Sequence, residues 1–469
     1  MLAIDLDGTL TSVDTLYESV LRLLFVKPFL VLFFPFWLLA GKAAFKAKIS
    51  SMIPFNPEYI PYNTDLIEWI RHEKAQNREI VLCTASDISV AKAVSDHLGI
   101  FDHIIGSDGK VNNSGLDKRA ILDSRFGVRG YDYAGNSIHD VDVWAGSNKA
   151  IFVAVSQKVE SKALQVCHVV KRFKRPPVTL SSWRKFFRIE QWIKNLLLFV
   201  PIIAAHEFLN LDALVPLIPA FLSFSLCASA GYILNDLSDL ESDRRHPHKC
   251  NRPLAAGVIP VKHALILLTL CLAFGFLIGS VVGSLFVWCL STYFVSTVLY
   301  SFVFKRYALL DCIFLAGLYA LRIIGGGVAT NIKPSFWLLA FSSFMFLSLA
   351  FQKRYAEINV HISNKNDQVS GRGYSLADAP VLQIMGISAG YASVFLLSLY
   401  LNSDKIKSLY NQPYLIWLAV PILLLWISRL WLKAHRGEIY EDPVVFALQD
   451  RGSLLLMLFT VIVFLIAAL

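Results

Sequence analysis

A series of long apolar segments fills the second part of the chain and restricts the folds that it can adopt. From about Trp192 onward, near-continuous apolar stretches follow one another, each about long enough to cross a bilayer. We count nine, at about 193–209, 213–234, 262–282, 284–304, 308–330, 335–352, 380–401, 413–433 and 452–469. Hydrophobic residues make up 55% of the chain and charged residues 17%, which excludes an ordinary soluble protein. The sequence therefore predicts an all-α, multi-pass membrane bundle of about nine helices over residues 191–469.

Positive charge is distributed unevenly around these segments. The formal net charge is +9, and residues 166–190 form a basic linker. When the nine segments are joined alternately, one set of connections holds most of the basic residues, whereas the other holds only Lys333, Lys405 and Lys407. This asymmetry predicts an inner (plasma) membrane protein whose basic loops and N-terminal region are cytoplasmic. Basic residues beside apolar segments fit membrane orientation and phosphorylated substrates, so we expect no nucleic-acid partner.

Residues 1–165 follow a different pattern, in which short apolar runs alternate with helical stretches. Runs at 2–4 and 80–83 each end in polar residues, and helical stretches such as 88–98 separate the runs. This alternation predicts an α/β domain with a doubly wound parallel sheet. Residues of about 13–69 break the rhythm and are expected to form a helical cap. Its apolar stretch at 21–39 is interrupted by prolines and charges, which favours a position on the membrane surface over a span.

Three carboxylates close the second apolar segment. Asp236, Asp239 and Asp243 are spaced three and four residues apart, so a helix would place them on one face. Clustered carboxylates would repel each other, and oxygen ligands suit Mg²⁺, which also bridges substrate phosphates. A basic stretch follows at 244–252 and offers cations for phosphate oxygens. The pattern predicts a magnesium-diphosphate site, with a solvated helix end as the alternative.

These residues carry a resemblance to a known family. Asn-Asp-x-x-Asp-x-x-x-Asp at 235–243 resembles the first aspartate motif of the UbiA-type prenyltransferase superfamily, whose members have nine membrane helices. The sequence at 243–257, Asp-Arg-x-His-Pro-x-Lys-x-x-Arg-Pro-x-Ala-Ala-Gly, is similar to its polyprenyl-phosphate (decaprenyl-phosphate) phosphoribosyltransferase branch. The sequences at 188–195, 353–357, 442–443 and 450–451 agree with that branch. The resemblance covers about residues 183–469.

The resemblance implies a Mg²⁺-dependent transferase with phosphoribosyl pyrophosphate as donor and a polyprenyl phosphate lipid as acceptor. Asp236, Asp239 and Asp243 would be catalytic and would bind the metal together with Asn235. The candidate substrate-binding residues are Lys194, Asn195, Arg244, His246, Lys249, Arg252, Lys305, Arg306, Arg322, Lys353 and Arg354. For Arg322, a structural pair with a neighbouring helix is the alternative. Asp311 stands where the second aspartate motif is expected, without a partner four residues later, so a second metal is left open.

A second resemblance covers about residues 1–160. Asp5-Leu6-Asp7-Gly8-Thr9 after a predicted strand resembles the first motif of haloacid-dehalogenase-like (HAD) phosphohydrolases. It implies that Asp5 is the nucleophile and that Asp7 is the general acid/base. The other residues that it implies are Thr84 and Lys118 for phosphate, with Lys110 as the alternative to Lys118. Asn136 and Asp140 would bind the metal with Asp5 and Asp7. Asn136 departs from the pattern because it replaces an acidic residue, so a vestigial or regulatory domain that only binds phosphate is the alternative to an active phosphatase.

Together the two resemblances predict transfer of 5-phosphoribosyl to a polyprenyl phosphate, with the HAD domain removing the 5-phosphate of the product. Two alternatives remain. One is a UbiA-type aromatic prenyltransferase that uses a polyprenyl diphosphate and carries a fused HAD domain. The other is a non-catalytic membrane protein with a phosphate-sensing domain.

Overall fold

The computed structural model describes residues 1–175, 177–363, 373–402, 410–439 and 442–468. Lys405 and Lys407, which entered the charge pattern, lie outside these ranges. The chain divides into two compact units. The first unit joins Met1–Phe186 to Ile233–Leu267, and the second joins Phe187–Tyr232 to Leu268–Leu469. The segment with the three aspartates therefore belongs to the same unit as the N-terminal region.

A six-stranded parallel sheet organises the first unit, as the alternating pattern predicts. Its strands are β1 (Leu2–Ile4), β2 (Ile80–Asp87), β3 (His103–Ser107), β4 (Asp132–Gly135), β5 (Ala150–Val153) and β6 (Val169–Phe173). The strand order is β3-β2-β1-β4-β5-β6, and every pairing is parallel. The order reverses direction at β1, so the carboxyl ends of β1, β2 and β4 meet there. Parallel sheets bind ligands at such a switch point.

Helices cover the sheet and form the cap. They are α1 (Thr15–Val26), α2 (Phe34–Leu39), α3 (Lys42–Met52), α4 (Thr64–Ala75), α5 (Ile88–Leu98), α6 (Leu116–Phe126), α7 (Asp140–Gly146), α8 (Gln157–Ala163) and α9 (Leu180–Phe186). Helix α4 packs on the sheet, because Leu66, Ile67 and Ile70 are buried in one cluster with Leu2 and Ile4. The cap helices proper are thus α1 to α3.

The apolar stretch at 21–39 is not one continuous helix. Helix α1 ends at Val26, a 3₁₀ helix covers Pro28–Phe33, and α2 follows. Leu30, Phe34 and Trp37 pack against the buried cluster of α1 and α3. The outward side chains are exposed, with Phe29 at 81% and Leu39 at 86%. This is the amphipathic character expected of a surface segment, whose place at a membrane stays a prediction.

The rest of the chain is helical. The helices are α10 (Val200–Ala204), α11 (Leu211–Leu214), α12 (Leu217–Ser238), α13 (Leu240–Arg245), α14 (Val261–Val282), α15 (Ser284–Phe302), α16 (Leu310–Thr330), α17 (Phe336–Ser363), α18 (Ala379–Leu401), α19 (Ala419–His435), α20 (Pro443–Gln449) and α21 (Arg451–Ala468). In the described part of the chain, eight helical stretches are long and apolar enough to cross a membrane. They are Leu211–Ser238, Val261–Val282, Ser284–Arg306, Leu310–Thr330, Phe336–Asn359, Leu376–Leu401, Pro413–His435 and Arg451–Ala468.

The count is one fewer than predicted, because the segment at 193–209 is not a long helix. It forms a 3₁₀ helix over Ile189–Phe199 and continues as the short α10. Pro201 lies in the first turn of α10, where the missing N–H costs nothing, so a new helix begins there. The 3₁₀ segment lies directly against α16, since a Cβ on Gly326 would come within 1.9 Å of the Leu198 carbonyl oxygen. Gly326 therefore permits close packing between these elements.

Candidate functional site

The three aspartates of the first unit lie where one helix ends and another begins. Asp236 is in the last turn of α12, Asp239 lies between the two helices, and Asp243 is in α13. Asp236 and Asp243 are buried, at 8% and 3% exposure, and Asp239 is partly buried. The expected single helical face is therefore broken at Asp239. Asp236 and Asp243 nevertheless converge.

Both carboxylates contact Arg252, which lies in the loop after α13. Its Nη1 lies 3.2 Å from Asp236 Oδ1 and 2.5 Å from Asp243 Oδ2. Burial raises the pKa of Asp243, and the Arg252 charge opposes that shift. Among the described residues, no three His, Cys, Asp or Glu side chains are arranged to hold a metal ion. Carboxylate oxygens are nevertheless ligands that a divalent cation prefers, so Asp236 and Asp243 would fit such a cation if Arg252 moved aside.

Arg244 and His246 form hydrogen bonds with other groups of the protein. Arg244 donates from Nη1 and Nη2 to the Glu18 carboxylate of α1, at 2.7 and 2.5 Å, and from Nε to the Ala255 carbonyl at 3.0 Å. Nδ1 of His246 accepts from the backbone N–H groups of His248 and Lys249, at 3.2 and 3.4 Å. Arg244 thus fixes the cap helix α1, and His246 shapes the basic loop.

The second unit contains a buried cluster of two lysines and one carboxylate. Lys194 donates to Asp442 Oδ2 at 2.6 Å, and Lys353 donates to the same oxygen at 3.1 Å. Lys194 and Asp442 side chains are 6% and 9% exposed, whereas Lys353 is 30% exposed. Burial alone would raise the pKa of Asp442, but the two lysines outweigh burial and hold it below its usual range. The cluster joins residues of three separate segments.

Arg354 and Asp311 form a second buried pair. Arg354 is 1% exposed and donates to Asp311, to Glu357 at 2.7 Å and to the Tyr300 hydroxyl at 2.7 Å. The other oxygen of Asp311 accepts from the Tyr374 hydroxyl at 2.5 Å. Both oxygens of the carboxylate at the expected second aspartate motif are therefore engaged by protein donors.

Arg322 and Asn195 meet deep in the helices. Arg322 is 4% exposed and donates to Asn195 Oδ1, to the Leu318 carbonyl and to the Tyr293 hydroxyl, at 2.6–2.8 Å. Asn195 in turn donates to Ser225 Oγ at 3.0 Å. The structural pairing that was left open for Arg322 is thus observed. Lys305 and Arg306 lie in a 3₁₀ helix after α15, Lys305 partly buried and Arg306 exposed.

In the N-terminal region, Asp5 follows β1 and meets Lys118 of α6. Lys118 Nζ lies 2.8 Å from Asp5 Oδ1, 2.8 Å from the Tyr133 hydroxyl and 3.8 Å from Asp140 Oδ1. Burial alone would lower the pKa of Lys118, but Asp5 and Asp140 outweigh burial and hold it above its usual range. The structure therefore brings together an ionised lysine and two of the predicted carboxylates.

Asp7 lies at the same edge of the sheet. Its Oδ1 accepts from the Thr15 backbone N–H at 2.8 Å, and its Oδ2 accepts from Ser86 Oγ at 2.5 Å. Thr84 is fully buried inside β2, which extends to Asp87, and its hydroxyl accepts from the Ser86 N–H. Asp7 thus joins the start of cap helix α1 to β2.

Asn136 and Asp140 follow β4 at this edge. Asp140 Oδ2 accepts from the N–H groups of Asn136 and Ser137 and from Ser137 Oγ, at 2.8–3.0 Å. Gly8 has φ +75°, and a Cβ there would come within 2.0 Å of Asn136 Nδ2. The Asn136 amide therefore fills the space beside the turn after Asp7.

Two cations at this edge were missed by sequence reasoning. Lys46 of α3 donates to the Ala85 carbonyl at 2.7 Å and to Asn112 at 2.8 Å. Burial lowers the pKa of Lys46, with the charge of Asp7 opposing. Arg175 of the basic linker donates to the Gly8 carbonyl at 2.6 Å. Lys46 stands among other lysines of the cap and Arg175 in a basic run, so their sequence context does not distinguish them from their neighbours.

The sequence model of the UbiA prenyltransferase family matches residues 196–438. The Uncharacterized protein y4nM of Sinorhizobium fredii is 36% identical over 96% of this chain and 87% of that protein. Nodulation protein NoeC of Azorhizobium caulinodans is 33% identical over 58% of this chain and 88% of that protein. The decaprenyl-phosphate phosphoribosyltransferase of Mycolicibacterium smegmatis is 36% identical over 39% of this chain and 60% of that protein.

The family match covers more than half of the chain, and the alignment with y4nM covers 96% of it. The eight long apolar helices agree with a membrane protein of this kind. The chain therefore belongs to the UbiA prenyltransferase family, as a multi-pass membrane transferase.

Proposed function

We propose that the chain transfers 5-phosphoribosyl from phosphoribosyl pyrophosphate to a polyprenyl phosphate in the membrane. The observation that carries this proposal is the convergence of Asp236 and Asp243 on Arg252, within the sequence that resembles the phosphoribosyltransferase branch. Carboxylates and a guanidinium side by side suit a diphosphate bound with a cation. The similarity to a decaprenyl-phosphate phosphoribosyltransferase supports transfer of a phosphoribosyl group to a polyprenyl phosphate.

The reaction exchanges one C–O bond for another. The bond between ribose C1 and the pyrophosphate oxygen breaks, and pyrophosphate leaves with the electron pair. An oxygen of the lipid phosphate forms the new bond to C1. Mg²⁺, held by Asp236, Asp239, Asp243 and Asn235, would neutralise the charge of the departing pyrophosphate. Arg252 would move from the carboxylates to the pyrophosphate oxygens, where bidentate contacts are strong.

The lysine cluster of the second unit supports a phosphorylated substrate. Lys194 and Lys353 share one carboxylate, so the cluster keeps a net positive charge. Phosphate oxygens would take the place of Asp442 at Lys353, the more exposed lysine. Arg322 and Asn195 would act as positioning residues, since they hydrogen-bond to each other and Asn195 also to Ser225.

For the N-terminal region we propose a HAD-like phosphatase that removes the 5-phosphate of the product. Asp5 would attack phosphorus and form an aspartyl phosphate, while Lys118 holds the carboxylate in place. Asp7 would protonate the leaving ribose oxygen and then deprotonate the attacking water. The carbonyl oxygen of Asn136 and the carboxylates of Asp5, Asp7 and Asp140 fit Mg²⁺ as oxygen donors.

We also propose that the N-terminal region is cytoplasmic. The basic connections favour that side. The 3₁₀ helix Ile189–Phe199 rises about 2.0 Å per residue and α10 about 1.5 Å, so together they extend about 30 Å, enough to cross the hydrocarbon core.

The orientation is tested by labelling. A cysteine reagent that cannot cross membranes should react from outside with Glu207→Cys and not with Glu68→Cys. The opposite pattern would reverse the orientation.

The transferase proposal is tested with the purified full-length chain. Phosphoribosyl pyrophosphate and a polyprenyl phosphate should give pyrophosphate and a lipid-linked ribose phosphate. Alanine at Asp236 or Asp243 should lower the rate about 100-fold or more, whereas Asp212→Ala, an exposed carboxylate on α11, should keep it. Turnover only with a polyprenyl diphosphate and an aromatic acceptor would favour aromatic prenyl transfer instead. Turnover with neither donor would favour the non-catalytic alternative.

The phosphatase proposal has a separate readout. Asp5→Asn should leave pyrophosphate release unchanged and should accumulate the 5-phosphorylated lipid, which mass spectrometry distinguishes from the dephosphorylated product. If the wild-type chain leaves the 5-phosphate in place, the phosphatase role is wrong while the transferase role stands.

A further inference from the structure

A cavity of about 310 Å³ lies in the first unit, between cap helix α1 and the segment that carries the aspartates. Its lining combines charged and amide side chains with apolar ones, the latter including Leu21, Phe25 and Val26. Nothing in the proposed transfer or phosphatase steps uses it. A cavity of this size and mixed lining has the character of a small-molecule site.

The polar part of the lining balances positive and negative groups. Glu18 pairs with Arg244 at 2.5 Å, and both side chains are about nine-tenths buried. Arg22 lies 3.8 Å from Glu241, and both are 40% exposed. Asn56 donates to Glu241 at 3.5 Å. Glu241 also accepts from Arg245 at 2.5 Å, and Arg22 donates to the Pro54 carbonyl at 2.9 Å. Carboxylates beside the paired guanidinium groups disfavour a dianionic phosphate but offer acceptors and donors to sugar hydroxyls, and the partly exposed Arg22 would face one negative charge.

The apolar part of the lining includes Leu21, Phe25 and Val26, and it reaches the protein surface at Val26, which is 61% exposed. After Lys27 the chain continues into the 3₁₀ helix Pro28–Phe33, on which Phe29 and Leu32 are 81% and 70% exposed. An apolar chain bound in the cavity would therefore leave it along an apolar surface.

The cavity is also close to the Asp7 loop. Helix α1 begins at Thr15, whose N–H donates to Asp7, and Glu18 follows three residues later. Three residues of α-helix correspond to about 4.5 Å along its axis. A polar head bound at Glu18 thus lies about one helical turn from the residue that binds Asp7.

We propose that this cavity binds a glycosyl lipid, with a pentose phosphodiester at the polar side chains and the first isoprene units along Leu21, Phe25 and Val26. The inference rests on the proposed function, which supplies such a molecule as its product. The site would hold the lipid-linked sugar beside the N-terminal region after transfer. Arg22 and Asn56 would be the specificity-determining contacts.

Binding of a labelled farnesyl-phosphoryl ribose to the full-length chain in detergent tests the proposal without turnover. Arg22→Gln should weaken binding about tenfold, because one partly exposed charge-assisted hydrogen bond is lost. Asn56→Leu should weaken it about fivefold. Lys27→Gln, which removes an exposed cation of the same cap outside the cavity, should bind as the wild type does. Thermal unfolding of each variant verifies that it is folded.

The outcomes are distinguishable from those of the proposed function. Equal affinity of wild type and Arg22→Gln would overturn the site, as would equal affinity for farnesyl phosphate without the sugar. A normal pyrophosphate release in Arg22→Gln with weakened binding would support a product site separate from the transfer chemistry. If wild type releases no pyrophosphate yet the binding differences hold, the transfer proposal fails and the glycosyl-lipid site stands.

Discussion

Replacing Asp442 with asparagine would remove the single carboxylate that two lysines share. Lys194 lies 2.6 Å and Lys353 3.1 Å from the same oxygen. Because the lysines hold the pKa of Asp442 below its usual range, the carboxylate is charged at neutral pH. An asparagine would keep the shape and lose the charge, so two ammonium groups would face each other without a counter-charge.

The expected loss of unfolding free energy follows from how deeply the two lysines are buried. Breaking a buried ion pair by removing one partner costs about 3–5 kcal/mol, because the remaining charge is left uncompensated. Lys194 is 6% exposed and cannot reach water, whereas Lys353 is 30% exposed and can turn outward. We therefore expect a loss of about 3 kcal/mol, at the lower end of that range. Adding Lys194→Met should recover more than half of it, since the stranded charge is then absent.

Thermal unfolding of the purified chain in one detergent measures the effect. The matched control is Glu438→Gln, because Glu438 pairs with Lys433 at 3.1 Å but is 42% exposed, so its loss should cost under about 1 kcal/mol. The reasoning is refuted if Asp442→Asn unfolds at the same temperature as Glu438→Gln. It is also refuted if the added Lys194→Met lowers stability further.

Three further outcomes are expected. Gly257→Ala should destabilise the first unit by about 1–3 kcal/mol, because Gly257 has φ +69° and a Cβ would come within 2.2 Å of Ser12 Oγ. In thermal unfolding, adding Ser12→Gly should restore part of the lost stability. No restoration would contradict the contact. Arg322→Lys should lower the free energy of unfolding by about 2 kcal/mol, because lysine cannot make three diverging hydrogen bonds. An unchanged thermal midpoint would count against the buried network. Chelation with EDTA should abolish pyrophosphate release, and added Mg²⁺ should restore it; undiminished release in EDTA would exclude the metal.

Some features were accessible from sequence because they depend on neighbouring residues. A stretch of about 20 apolar residues predicts a membrane helix whatever surrounds it, and eight of the nine predicted segments are long helices. The alternation of short apolar runs and helical stretches likewise predicted the parallel sheet. The segment at 193–209 is not one long helix because Pro201 starts a new helix inside an apolar run, and apolar composition alone does not report such a break.

The partners of the charged residues were decided by the tertiary structure. Glu18 and Arg244 are 226 positions apart, and Lys194 and Asp442 are 248 positions apart. The sequence predicted Arg244 and Lys194 as substrate-binding residues, whereas in the structure both side chains are buried, and a buried charge needs a partner. Which carboxylate is that partner depends on the path by which the chain returns, and only the folded chain fixes that path.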